Sequence, residues 1–242
     1  MSTARAIALS ALFAIGCTDT TDALDGGACV TGDASLDVDP TDSGLLFTAM
    51  RPPHAPNPTA CTKAQLDDYV QCQANKNTDK CVEFKAGQSG AACSACIESL
   101  TTDPTWGVLV FGNQTASFNI EGCVDLALGQ VPLECFSDAS PPPACSCGQQ
   151  LHASYECQEQ ANAQYCNTCL DQDSSTSCNT LVLAQVCATQ DDAVQDASGP
   201  CAALFAADSG AAICFPDLDA SDPTTQEASW LEVVGSFFCG GT

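Results

Sequence analysis

Cys72-Gln73-Ala74-Asn75-Lys76-Asn77-Thr78-Asp79-Lys80-Cys81 and Cys157-Gln158-Glu159-Gln160-Ala161-Asn162-Ala163-Gln164-Tyr165-Cys166 have the same length, open on the same Cys-Gln pair and close on cysteine. Eleven residues after each comes a third cysteine, Cys93 or Cys178, so gaps of eight and eleven recur 85 positions downstream. The match continues outward. Cys61 precedes Cys72 by an interval one residue longer than Cys147 to Cys157, and Cys123 and Cys135 enclose eleven residues where Cys201 and Cys214 enclose twelve. Gln65-Leu66 and Gln150-Leu151 keep the same distance from Cys72 and Cys157, and Tyr69 and Tyr155 lie within a helical turn of those leucines. Recurrence at a fixed offset is the mark of a duplicated unit. The chain therefore reads as two six-cysteine units, with bridges expected at corresponding positions.

Six cysteines fall outside the two sets: Cys29, Cys96, Cys145, Cys169, Cys187 and Cys239. They are available to fasten the copies, the leading segment and the C-terminus together, and sequence alone does not fix the pairing. Ser140-Pro141-Pro142-Pro143 stands between the copies. A stiff stretch poor in hydrogen-bond donors suits a boundary there, giving units at 61–140 and 141–242.

Within the units the pattern leans helical. Thr62 is a plausible cap for a helix over 63–75, with Leu66, Tyr69, Val70 and Cys72 on one side. A second helical face runs through Leu151, Tyr155, Cys166 and Cys169 over 148–170, and a third helix is expected over 176–187 around Leu181 and Val182. The last is the clearest: Pro223 and Thr224 precede Glu227 in a capping-box pattern, Trp230, Val234, Phe237 and Phe238 form a stripe, and Gly240-Gly241 stop it. Strand signals are few. Trp106 to Gly112 is a brief apolar run bounded by glycine, where the first copy has 29 residues between cysteines and the second only 22, and it suits a hairpin confined to copy one. The fold class expected is mainly α, small and disulfide-rich, with little strand. Each bridge is worth about 2–4 kcal/mol, which compensates for a core too small to hold each unit alone.

The compartment is decided at the N-terminus. Arg5 precedes an apolar stretch from Ala6 to Ile15, and small residues lead to Cys17, which are the parts of an export signal. The apolar run is about half the roughly twenty residues that span a bilayer. Eighteen cysteines remain after Cys17 is set aside, an even number in an exported chain, and these read as disulfides and not as a metal–thiolate site. Residues 17–60 are rich in Thr, Asp, Gly, Ser and Pro and read as a disordered acidic tether, interrupted by Leu45-Leu46-Phe47.

Ala14-Ile15-Gly16-Cys17 resembles the lipobox of bacterial lipoproteins, and an acidic tether before a cysteine-rich body is similar to cysteine-rich lipoproteins of myxobacterial type. The resemblance implies cleavage after residue 16, lipid on Cys17 and attachment to the membrane through that lipid. Thr18 is not the Asp associated with inner-membrane retention, so the resemblance implies the outer membrane, facing periplasm or exterior. It brings no activity with it. The alternative is an ordinary cleaved signal, with Cys17 removed or left in a loop.

Charge narrows the partners. From Ala86 to Thr242 there is no Lys or Arg against nineteen acidic residues, so this surface repels nucleic-acid phosphates and anionic headgroups. A protein partner at the cell surface and divalent cations stay open. Candidate chemistry is sparse. Cys93-Ser94-Ala95-Cys96 and Cys166-Asn167-Thr168-Cys169 have redox spacing but no cation close in sequence to stabilise a thiolate, and Cys145-Ser146-Cys147 reads as structural too. His152 is the one histidine of the cysteine-rich part, His54 lying in the Pro-rich tether, and no nucleophile motif accompanies either. Asp33, Asp37, Asp39 and Asp42, and Asp217, Asp219 and Asp222, lack the spacing of a calcium loop. Asn113-Gln114-Thr115 fits a glycosylation acceptor by pattern only. No catalytic residue, metal ligand or cofactor is assigned. The expected function is a non-enzymatic binding or structural module, with a calcium-dependent adhesion module or a secreted enzyme as alternatives.

Overall fold

Helix α1 (Lys63–Ala74) opens on a reciprocal cap. The Gln65 backbone N–H donates to Thr62 Oγ1 at 3.3 Å, and the Thr62 N–H donates to Gln65 Oε1 at 2.8 Å. Two donors left over at the helix start are thereby satisfied. Leu66, Tyr69 and Cys72 are buried along one side, as their spacing predicts. The chain is a computed structural model describing residues 50–74, 84, 87–112, 116–130, 145–166, 172–206, 208–216 and 223–241.

Among the described residues the remaining α-helices of more than one turn are α2 (Gln88–Ile97), α3 (Ile120–Ala127), α4 (Cys147–Ala161), α5 (Gln172–Gln185), α6 (Ala188–Gln195) and α7 (Pro223–Cys239). A π-turn, Asn162–Cys166, continues α4, and 3-10 turns occupy Ala202–Phe205 and Gly210–Cys214. The protein is mainly α and disulfide-rich. Among the described residues strand is confined to β1 (Glu98–Leu100), β2 (Leu109–Phe111) and β3 (Ala116–Phe118). The β2–β3 pair is the antiparallel hairpin expected from the Trp106 to Gly112 run, with Val110 opposite Ser117. Its parallel neighbour β1, with Ser99 opposite Val110, carried no sequence signal. Gly107 makes the crossing possible, since a Cβ there would lie 2.5 Å from the Ile97 carbonyl oxygen.

One core runs through both halves of the chain. Leu66, Tyr69, Ile97, Val108 and Val124 from the first pack in the same cluster as Leu151, Leu204, Trp230, Val234 and Phe238 from the second. Helix α7 lies against α1 and α2, and α4 against α3. The expected boundary after residue 140 is therefore not a boundary of the core. Apolar residues of each half complete the core of the other. A small satellite cluster, Cys157, Ala161, Cys166, Cys178, Val182, Val186 and Cys187, gathers between α4 and α5.

The bridges do not follow the repeat. Cys61 bonds Cys93, whereas the corresponding Cys147 bonds Cys201 and Cys178 bonds Cys166. Cys157 bonds Cys187, one of the cysteines outside the repeat. Cys123–Cys214 and Cys96–Cys239 join the two halves. The expectation of equivalent pairing in two copies fails: within the halves Cys61–Cys93 has no counterpart in Cys147–Cys201 or Cys166–Cys178, and two further bridges cross between the halves. Cys72 is disulfide-bonded. Cys17, Cys29, Cys81, Cys135 and Cys169 lie outside the described residues.

The folded part also begins earlier than Cys61. Met50 packs with Trp106 and Val110, the His54 N–H donates to the Trp106 carbonyl at 2.7 Å, and the Trp106 N–H donates to the Pro52 carbonyl at 2.8 Å. Further on, the Asn57 N–H donates to the Phe238 carbonyl at 2.7 Å and the Cys61 N–H to the Cys239 carbonyl at 2.8 Å. A stretch read as the end of a tether is stitched to the body, on one side through Trp106 ahead of β2 and on the other through the last carbonyls of α7. At the far end Gly240, at φ 85°, ends α7 in a conformation that glycine adopts without strain.

Candidate functional site

A groove of about 430 Å³ lies where α2 ends and β1 begins, lined by Ser94, Ala95, Glu98, Leu100, Asp103 and Phe111 among others. The sequence places these side chains together through the helix–strand junction. Ser94 and Glu98 are one helical turn apart, and the Glu98 N–H donates to the Ser94 carbonyl as α2 ends. Leu100 is 54 % exposed on the strand and, among the described residues, is one of two exposed large hydrophobic side chains.

The polar groups are held in place. Tyr69 O–H and Gln73 Nε2 donate to the same Glu98 oxygen, at 2.8 and 3.4 Å. Burial, aided by the Glu98 charge, holds the Tyr69 phenol well above its ordinary range, so it stays a donor. Asp103 folds back on Leu100, its Oδ2 accepting the Leu100 N–H at 2.7 Å while its own N–H donates to the Leu100 carbonyl at 3.0 Å. Both backbone groups of Leu100 that point away from β2 are thus occupied, and the strand edge is closed to a further strand there. Ser94 differs. Its residue is only 8 % exposed, and its Oγ is buried with no hydrogen-bond partner.

A second polar cluster joins α3 to α4. His152 Nδ1 lies 3.4 Å from Glu121 and Nε2 3.5 Å from Glu156, all three side chains mostly buried, and the Trp106 ring meets the imidazole edge-on at 6.0 Å. The two carboxylates sit on opposite nitrogens, so they do not converge on one point. Nearby, Asp125 has no exposed surface and accepts Ser146 Oγ–H and the Gly148 N–H, each at 2.7 Å. Burial, with the Glu121 charge as a lesser cause, pushes its carboxyl up to about 6 against those two hydrogen bonds.

Of the residues singled out from sequence, Cys93 and Cys96 bond different partners, Cys61 and Cys239, so that pair does not close on itself. Cys166 bonds Cys178, Cys147 bonds Cys201, and Cys145 is buried. His54 is not adrift in a tether: its Nδ1 lies 3.2 Å from the Cys96 carbonyl. His152 lines no part of the groove. The two aspartate clusters and Asn113-Gln114-Thr115 lie outside the described residues. Sequence reading missed Asp125, Ser94 and Glu98 altogether. The spacing Ser146-x-x-Gln149 was the available signal for the first, since it forms a complete capping box at α4. No protein-family model, curated protein or solved structure matches this chain.

Proposed function

We propose that this chain is exported, anchored by lipid on Cys17 to the outer membrane, and presents its body as a non-enzymatic binding or structural module of the cell envelope. The observation that carries the reading is the order of parts: a short apolar run ending in Ala14-Ile15-Gly16-Cys17, then a cysteine-rich body. Bridges such as Cys61–Cys93, Cys96–Cys239 and Cys123–Cys214 support an oxidising compartment, where they form and persist. Among the described residues no helix is long and apolar enough to cross a membrane, so attachment in this reading is the work of acyl chains. Each buried methylene adds about 0.8 kcal/mol, and more than one chain makes the anchor firm. Metabolic labelling with a fatty-acid analogue tests it. Label is expected on the natural protein and not on Cys17→Ala; equal labelling of both overturns the anchor.

A further inference from the structure

From the groove at the C-terminal end of α2 we infer a binding site for a cationic group carried on an apolar stem, an alkylammonium or alkylguanidinium. The first ground is Ser94. A hydroxyl buried to this degree without a partner is uncommon, and this one lines a concave space from which a ligand can supply the missing bond. Its oxygen accepts from an N–H of the cation. The second ground is charge. Glu98 and Asp103 stand in the lining, no Lys or Arg does, and the groove lies at the negative end of a ten-residue helix with no basic residue in its last turn. The third is the apolar wall. Exposed Leu100 and half-buried Phe111 give a stem something to lie against, and the volume is that of a small-ligand site. Because Asp103 occupies the strand edge at Leu100, the ligand enters as a side chain or a small molecule and not as an added strand.

This deepens the binding-module half of the proposal above and is independent of the anchor, so loss of either leaves the other standing. The test titrates the purified full-length mature protein with n-hexylammonium, hexanol and hexanoate, read by amide chemical shifts and calorimetry. Saturable binding of hexylammonium is expected, with Leu100 and Phe111 among the shifted residues and hexanoate at least about tenfold weaker, a difference of about 1.4 kcal/mol. Ser94→Ala and Asp103→Asn are each expected to weaken hexylammonium by about fivefold to tenfold, and Asp192→Asn, exposed on α6, to leave it unchanged. Equal binding of the three probes, or shifts away from Leu100 and Phe111, overturns the site even if a variant fails to fold. A blocked lysine peptide run in parallel names the source: tighter binding than hexylammonium assigns the site to a protein side chain, weaker binding to a free amine.

Discussion

Asp125 accepts a hydrogen bond from Ser146 at 2.7 Å across the α3–α4 contact, and it does so with no surface exposed to water. The same carboxylate takes the Gly148 N–H, so one side chain on α3 completes the start of α4. Removing it leaves two buried donors without acceptors. Asp125→Ala is expected to cost about 2–4 kcal/mol in denaturant unfolding of the oxidised protein, and Asp125→Asn less, because an amide oxygen keeps one of the bonds.

The pH dependence of this group has a definite sign. Its folded carboxyl is pushed up to about 6 from an ordinary 3.8, so below about 6 the folded state holds a proton the unfolded state has released. Lowering pH from about 6 toward 3.8 therefore raises the stability this residue contributes, by on the order of 2–3 kcal/mol. The check is the difference in unfolding free energy between the natural protein and Asp125→Asn at pH 7 and pH 4. The natural protein is expected to gain on the variant as pH falls, and a loss would mean that the hydrogen bonds outweigh burial.

Bridges that join the two halves are expected to matter more than local ones. Cys123–Cys214 spans 91 residues and Cys166–Cys178 spans 12, and the entropy a bridge removes from the unfolded chain grows with the loop it closes. Replacing both cysteines of Cys123–Cys214 by alanine is expected to lower stability by about 3–5 kcal/mol, and of Cys166–Cys178 by about 2–3 kcal/mol. Thermal or denaturant unfolding of the two double variants compares them. Peptide mapping of the unreduced natural protein is expected to recover both linkages, and finding Cys61 joined to Cys123, as a repeat of Cys147–Cys201 would require, would restore the two-copy architecture.

Gly107 tests the crossing from β1 to β2. A methyl group at this position meets the Ile97 carbonyl at 2.5 Å and the Cys96 carbonyl at 2.8 Å, both rigid backbone. Gly107→Ala is expected to destabilise by about 2–3 kcal/mol, and to loosen Met50 and Trp106 from their cluster, seen as faster amide exchange at His54.

Local features were legible in the sequence and long-range ones were not. Thr62, the Leu66–Tyr69–Cys72 face, the hairpin and the Trp230–Val234–Phe238 stripe all depend on residues a few positions apart, where period and capping chemistry speak directly. The repeat of cysteine gaps is equally real as spacing, yet Cys93 and Cys178 take non-equivalent partners, and Cys96 and Cys123 reach Cys239 and Cys214 only because α7 and the turn at Gly210–Cys214 dock on the first half. The helix docking is chosen by the whole core, and no window of sequence contains it. The candidate groove was illegible for a related reason. Glu98 and Asp103 are two of thirty acidic residues in the chain, and Ser94 looks like any helical serine until the fold leaves its hydroxyl without a partner beside the groove.

The stitching of residues 57–61 to Phe238 and Cys239 has a mechanical meaning. A pull along the leading segment first loads the Met50 cluster and the backbone bonds of His54 and Asn57, and the first covalent tie it meets is Cys61–Cys93, with Cys96 beyond it joined to the last residue of α7. Tension entering along the leading segment is shared between α2 and the end of α7 by sulfur, before any helix is asked to slide.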